Sequence, residues 1–112
     1  MRGIGGNTEA LIQVSSVNAN IIGEQVKQWQ DVQRIKGWLD LSGGDARYTT
    51  FNAKIQESTH VFVADYVPLD KRIEAETARA VIAGKKYDIT LIDNPMELNA
   101  QLEIHLKYTG GV

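Results

Sequence analysis

Leu102, Ile104, Leu106 and Tyr108 fall on one face of an extended chain, and Glu103, His105 and Lys107 fall on the other. That period of two over residues 101–108 is the mark of a half-buried β-strand, because a helix would scatter the same apolar residues around its circumference. A second stretch carries the same period. Residues 77–83 and 86–92 flank Gly84-Lys85, and a Gly-first two-residue loop suits a type II′ hairpin. Pairing outward from that loop sets Ile82 opposite Tyr87, Ala80 opposite Ile89 and Ala78 opposite Leu91, all on one face.

The remaining chain supplies more strands. Residues 9–17 alternate, with Ile12 and Val14 on one side and Leu11 and Gln13 on the other, and Asn18 to Gly23 reads as a loop. Residues 26–41 form a second extended stretch in which Gly37 predicts a bend or bulge, although helical spacing fits part of it. Ser42-Gly43-Gly44 breaks the pattern, and Asp45 is placed to cap a short helix through about Gln56, with Tyr48, Phe51 and Ile55 along it. Residues 59–66 are rich in β-formers, and Asp93-Asn94-Pro95 signals another turn. About six strands with one short inserted helix, and no βαβ spacing, predict an all-β fold: a small antiparallel barrel or sandwich.

With 112 residues the chain fits one domain, read as residues 9–112 behind a flexible arm of residues 1–8, with an inserted loop and helix at 42–58. Cysteine is absent, which removes disulfides, thiolate metal sites and thiol nucleophiles and fits a reducing compartment. No apolar run has the length of a membrane span, and the start of the chain lacks the apolar core of a signal peptide. A net charge of −2 offers no basic footprint for gripping phosphates.

Chemistry finds little to work with. His60 and His105 lie in predicted strands without carboxylate or cysteine at ligand spacing. His105, between Glu103 and Lys107, is expected at the surface, and His60, sharing a face with Phe62 and Tyr66, in a packed or rim position. Gly3-Ile4-Gly5-Gly6 follows no strand and precedes no Gly-Lys-Ser/Thr, so it is no nucleotide loop. Asp65, Asp70, Glu74 and Glu76 read as a solvated rim beside Lys71 and Arg72. No catalytic residue, metal ligand or cofactor is expected. Trp29, Trp38 and Phe51 offer a stacking platform if the barrel binds an oligonucleotide or a carbohydrate.

The order of these features resembles a known family. An Ile-x-Val strand is followed by a Gly-containing loop, Trp29-Gln30-Asp31-Val32 and Trp38-Leu39-Asp40-Leu41. Asp70-Lys71-Arg72-Ile73, Gly84-Lys85-Lys86-Tyr87-Asp88-Ile89, Asp93-Asn94-Pro95 and Leu102-Glu103-Ile104 follow. This arrangement is similar to the phage head–tail adaptor family, in particular the head-closure or stopper proteins of siphophages. The resemblance implies a small β-barrel made in the host cytoplasm and built into the virion at the head–tail interface. It implies a non-enzymatic homo-oligomeric ring, a dodecamer, below the portal or adaptor protein. Such a ring holds packaged double-stranded DNA in its channel and docks a tail completion or tail tube protein. Under it, Ser42, Gly43, Gly44, Asp45, Arg47, Tyr48 and Lys54 face the channel. The alternative is the small β-barrel binding module for oligonucleotide or carbohydrate.

Overall fold

The computed structural model describes residues 5–19, 21–41 and 58–111. Six strands run β1 (Thr8–Ala19), β2 (Gln25–Leu41), β3 (His60–Asp65), β4 (Ala78–Ile82), β5 (Lys85–Asp93) and β6 (Gln101–Gly111). One short 3-10 turn, Pro95–Glu97, lies between the last two. All six ladders are antiparallel, and the order β1-β2-β3-β6-β5-β4 returns to β1, closing a barrel. The protein is therefore all-β, with strands at the places the alternation predicts. The expected short helix in residues 45–56 lies outside the described residues.

Period two decides what fills the barrel. Ala10, Ile12 and Val14 of β1, Phe62 and Ala64 of β3, Ala78, Ala80 and Ile82 of β4 and Leu102, Ile104 and Leu106 of β6 all point inward and are buried. Phe62, Ile12, Ile82, Ile89, Ile104 and Leu106 are the largest side chains closed off from water, so the interior is a packed core. The β3–β4 connection seals one end, with Ile73 buried and Val67, Leu69 and Ala75 packed against the core. Gln33 clamps that connection, its amide donating to the Pro68 carbonyl at 3.1 Å while its side-chain oxygen accepts from the Asp70 N–H at 2.9 Å.

Two local expectations need correction. The β4–β5 turn is Ala83-Gly84, not Gly84-Lys85, since Lys85 already pairs with Ile82 and Tyr87 with Ala80. Both turn residues have positive φ, 51° and 79°, the signature of a type I′ loop, whose twist matches the strands it joins. The pairing differs from the expected one by two residues, so the same side chains keep the same face. Leu91 is the exception. A register shift between Ile89 and Leu91 turns the strand over, and Ile92, opposite Ile104, packs toward the core instead.

β2 is a strand throughout, which settles the helical alternative for residues 26–41. The bulge lies at Val32, left without an opposite number when Ile12 pairs with Gln33 and Gln13 with Asp31. Gly37 serves another purpose. It is the last β2 residue paired with β1, and Trp38 is the first paired with β3. A Cβ at Gly37 would collide with the Val63 carbonyl and would stand 2.8 Å from the Phe62 ring. Only glycine lets the backbones approach where β2 changes partner.

Candidate interaction surface

The β1–β2 hairpin is longer than the barrel needs. β4 pairs with β1 only from Leu11 to Val14, and β3 pairs with β2 only from Trp38 to Leu41. From Ser15 opposite Trp29 to Ala19 opposite Gln25, the two strands have only each other as ladder partners among the described residues. Five paired residues extend this ribbon by roughly 17 Å. Gln25, Val26, Lys27 and Gln28 are all exposed, and at the tip Ile21 and Ile22 are 103% and 76% exposed.

Trp29 roots this arm. The Lys27 ammonium lies 4.7 Å and the Arg79 guanidinium 4.1 Å from its ring centroid. Arg79 also donates through Nε to Gln13 Oε1 at 2.7 Å, and the Gln13 amide donates to Asp31 Oδ1 at 2.7 Å. Burial lowers the Arg79 pKa from its ordinary value, opposed by the nearby Asp88 carboxylate. Trp38 is 43% exposed and stands opposite Val63 on β3. Eight residues of strand lie between the two tryptophans, a contour of roughly 30 Å. They do not meet as one platform, and Phe51 lies outside the described residues. So do Ser42, Gly43, Gly44, Asp45, Arg47, Tyr48 and Lys54.

A second apolar display stands on the β5–β6 connection. Met96 and Leu98 are 85% and 66% exposed, and Met96, Glu97 and Asn99 have φ of 56°, 53° and 54°. Non-glycine residues in this left-handed region carry strain of about 1 kcal/mol or more each. Asn94 holds the loop together. Its amide donates to Asn99 Oδ1 at 2.8 Å, its side-chain oxygen accepts from the Asn99 N–H at 3.1 Å, and Pro95 fixes φ beside it.

The titratable groups are placed for structure. His60 is half-buried at the barrel mouth, its ring 5.1 Å from Tyr87 and nearly perpendicular, and Tyr87 in turn meets Tyr108. The Asp70–Arg72 pair forms at the surface as expected, bidentate at 3.0 and 3.1 Å. Hydrogen bonds from the Arg72 side chain and backbone hold the Asp70 carboxyl at about 2. Asp65 accepts from the Gly5 N–H at 2.9 Å. Among the described residues no three His, Cys, Asp or Glu side chains gather as a metal site.

His105 departs from expectation. It points away from the core, as alternation requires, yet it is only 7% exposed and its Nδ1 has no hydrogen-bond partner among the described residues. Half-buried Val61 and Leu91 stand opposite it on the two neighbouring strands. Close by, Thr90 Oγ1 donates to the His105 carbonyl at 3.1 Å and lies 2.6 Å from the buried Ser58 hydroxyl. An outer face has become an interior one.

The arm and the Met96–Leu98 loop were not legible as sites in the sequence. One signal was present: residues 10–23 contain no charge and no proline. Such a run lacks the usual guards of an exposed strand edge. Comparison with known proteins returns no match, either to a family model or to a curated sequence.

Proposed function

We propose that this protein is a structural connector of a tailed bacteriophage. It is a subunit of a ring at the head–tail junction that closes the DNA channel beneath the portal and adaptor and offers the tail its docking surface. The observation that carries this reading is the combination of a filled barrel with a projecting apolar-tipped arm. Among the described residues Phe62, Ile12 and Leu106 fill the middle of the barrel, so this reading places recognition on the outer surface, from which the arm projects. The small barrel is also the fold that the family resemblance implies. A subunit of this size gains burial from neighbours, and cyclic repetition of one heterologous contact closes without exposed ends. No step of this role calls for catalysis.

The binding-module reading draws on Trp29, where lysine and arginine stand beside an aromatic ring. Those cations already cover the ring, and Trp38 is too far along β2 to extend the platform. Native mass spectrometry and negative-stain microscopy of the purified chain, alone and with its portal and adaptor, separate the two. Rings are the expected result. Monomers whose tryptophan fluorescence responds to an oligonucleotide or oligosaccharide would overturn the connector.

A further inference from the structure

β1 and β4 part where the arm leaves the barrel. Their ladder ends with Val14 opposite Ala78. The chain just before β4 folds into a turn instead of continuing beside β1. The N–H groups of Thr77 and Ala78 and the Thr77 hydroxyl all donate to the Glu74 carbonyl, at 3.4, 3.1 and 3.3 Å. Glu76 takes the left-handed region, φ 72°, and its N–H donates to the Ile89 carbonyl of β5. The parting leaves a cleft of about 340 Å³, at the lower end of the range for small-molecule sites.

The core-facing side of the hairpin changes character at this point. Ala10, Ile12 and Val14 are buried and apolar, but Ser16 takes the next inward position, and Gln30 stands opposite Val14. Val14, Ser16 and Gln30 form one wall of the cleft, and Arg72, Glu74 and Thr77 of the β3–β4 connection form the other. The Ser16 hydroxyl is buried and has no hydrogen-bond partner among the described residues. A hydroxyl taken from water without a partner destabilises the fold until something supplies one.

Charge decides what the cleft can hold. The Nε and Nη2 edge of Arg72 already faces the Asp70 carboxylate, and Glu74 adds a second carboxylate beside it. A phosphate or carboxylate entering there would meet two negative groups against one guanidinium. What remains is neutral hydrogen-bonding capacity of both kinds. The outer edge of Arg72 donates, the Glu74 carboxylate accepts, and the hydroxyls and the Gln30 amide do both.

We propose that this cleft binds a neutral polyhydroxyl ligand, the ring of a monosaccharide. Adjacent ring hydroxyls donate to Glu74 and accept from Arg72 and Gln30, and Ser16 gains its missing partner. Val14 supplies an apolar floor for the C–H face of the ring. The cleft is built within one chain, so the proposal is independent of the ring reading.

Glucose, galactose, mannose and N-acetylglucosamine are each titrated into the full chain, with phosphate and acetate as charged controls, and nitrogen–proton correlation spectra are followed. At least one sugar should saturably shift the backbone amides of Ser16 and Thr77 and the side-chain amide of Gln30. Glu74→Gln and Arg72→Lys should each weaken that binding by about tenfold, through loss of a charged acceptor and of a planar fork. Ser16→Ala should weaken it as well while leaving the urea midpoint unchanged or higher, a split that a merely structural serine would not produce. A flat titration with all four sugars would overturn the proposal. So would shifts at these residues from phosphate or acetate alone, or sugar-induced shifts confined to the surface around Trp38. Binding left intact by both Glu74→Gln and Arg72→Lys would overturn it too.

Discussion

A histidine buried with an unpaired nitrogen responds to acid in one direction. Burial pushes the His105 pKa below its ordinary 6.5, against the pull of the Glu103 and Asp93 carboxylates. Below pH 6.5 the unfolded chain takes up a proton that the folded barrel resists. The contribution to stability is therefore complete above the unfolded value and is lost as pH falls toward the lowered folded one. Urea unfolding at pH 7.5 and 5.5 should show a loss in the wild type that His105→Leu abolishes; Asp70, held at about 2, acts only in far stronger acid. His105→Ala should cost about 1–3 kcal/mol, as truncation of a buried side chain does, and an unchanged urea midpoint would return His105 to the surface. Gly37→Ala should cost a similar amount, about 1–3 kcal/mol, by overpacking where β2 changes partner, and the same titration reads it. Alternation told which side of β6 His105 faces, but not that Val61 and Leu91 would crowd that side. Gly37 was legible as special, though its reason, the Val63 carbonyl 26 residues away in the chain, is tertiary.

Hairpin geometry is where sequence and structure differ by the smallest step. Glycine at position 84 invited a turn that begins there, whereas the chain spends a left-handed conformation on Ala83, φ 51°, and puts Gly84 second. Nothing in an alanine announces that choice, because a Cβ disfavours it. Ala83→Asn should therefore stabilise the barrel, by up to about 1 kcal/mol, by restoring the Asn-Gly pair that type I′ turns prefer. Gly84→Val should destabilise it by about 1–2 kcal/mol through backbone strain, since no atom lies within 4 Å of a Cβ there. Denaturant midpoints of the two variants should move in opposite directions; equal shifts would mean that the turn is not type I′. The strands themselves were readable because each has one wet and one dry face. The bulges at Val32 and beyond Ile89 were not, since they answer to barrel curvature.

For the whole molecule, the arm and the barrel are separable. Ser16 and Gln28 are direct partners, so excising residues 17–27 and joining them through Asn-Gly makes a short type I′ hairpin. The shortened chain should keep its cooperative unfolding and near-ultraviolet spectrum, and, if the arm carries the proposed ring, sediment as a monomer at concentrations where the full chain forms it. Persistent assembly would move the subunit contact elsewhere. Closure of the barrel carries a further, kinetic consequence. The ladder that completes it pairs Leu11 with Val81 and Val14 with Ala78, residues 64 to 70 apart in the chain. Local hairpins form in about 1–10 μs, whereas barrels built on such distant pairings fold over milliseconds to seconds. The β1–β2 ribbon therefore exists early, with its uncharged edge bare, and waits for β4 to arrive. Any partner strand present at high concentration during that interval competes with β4 for β1, so refolding yield should fall as protein concentration rises even when the native state is stable.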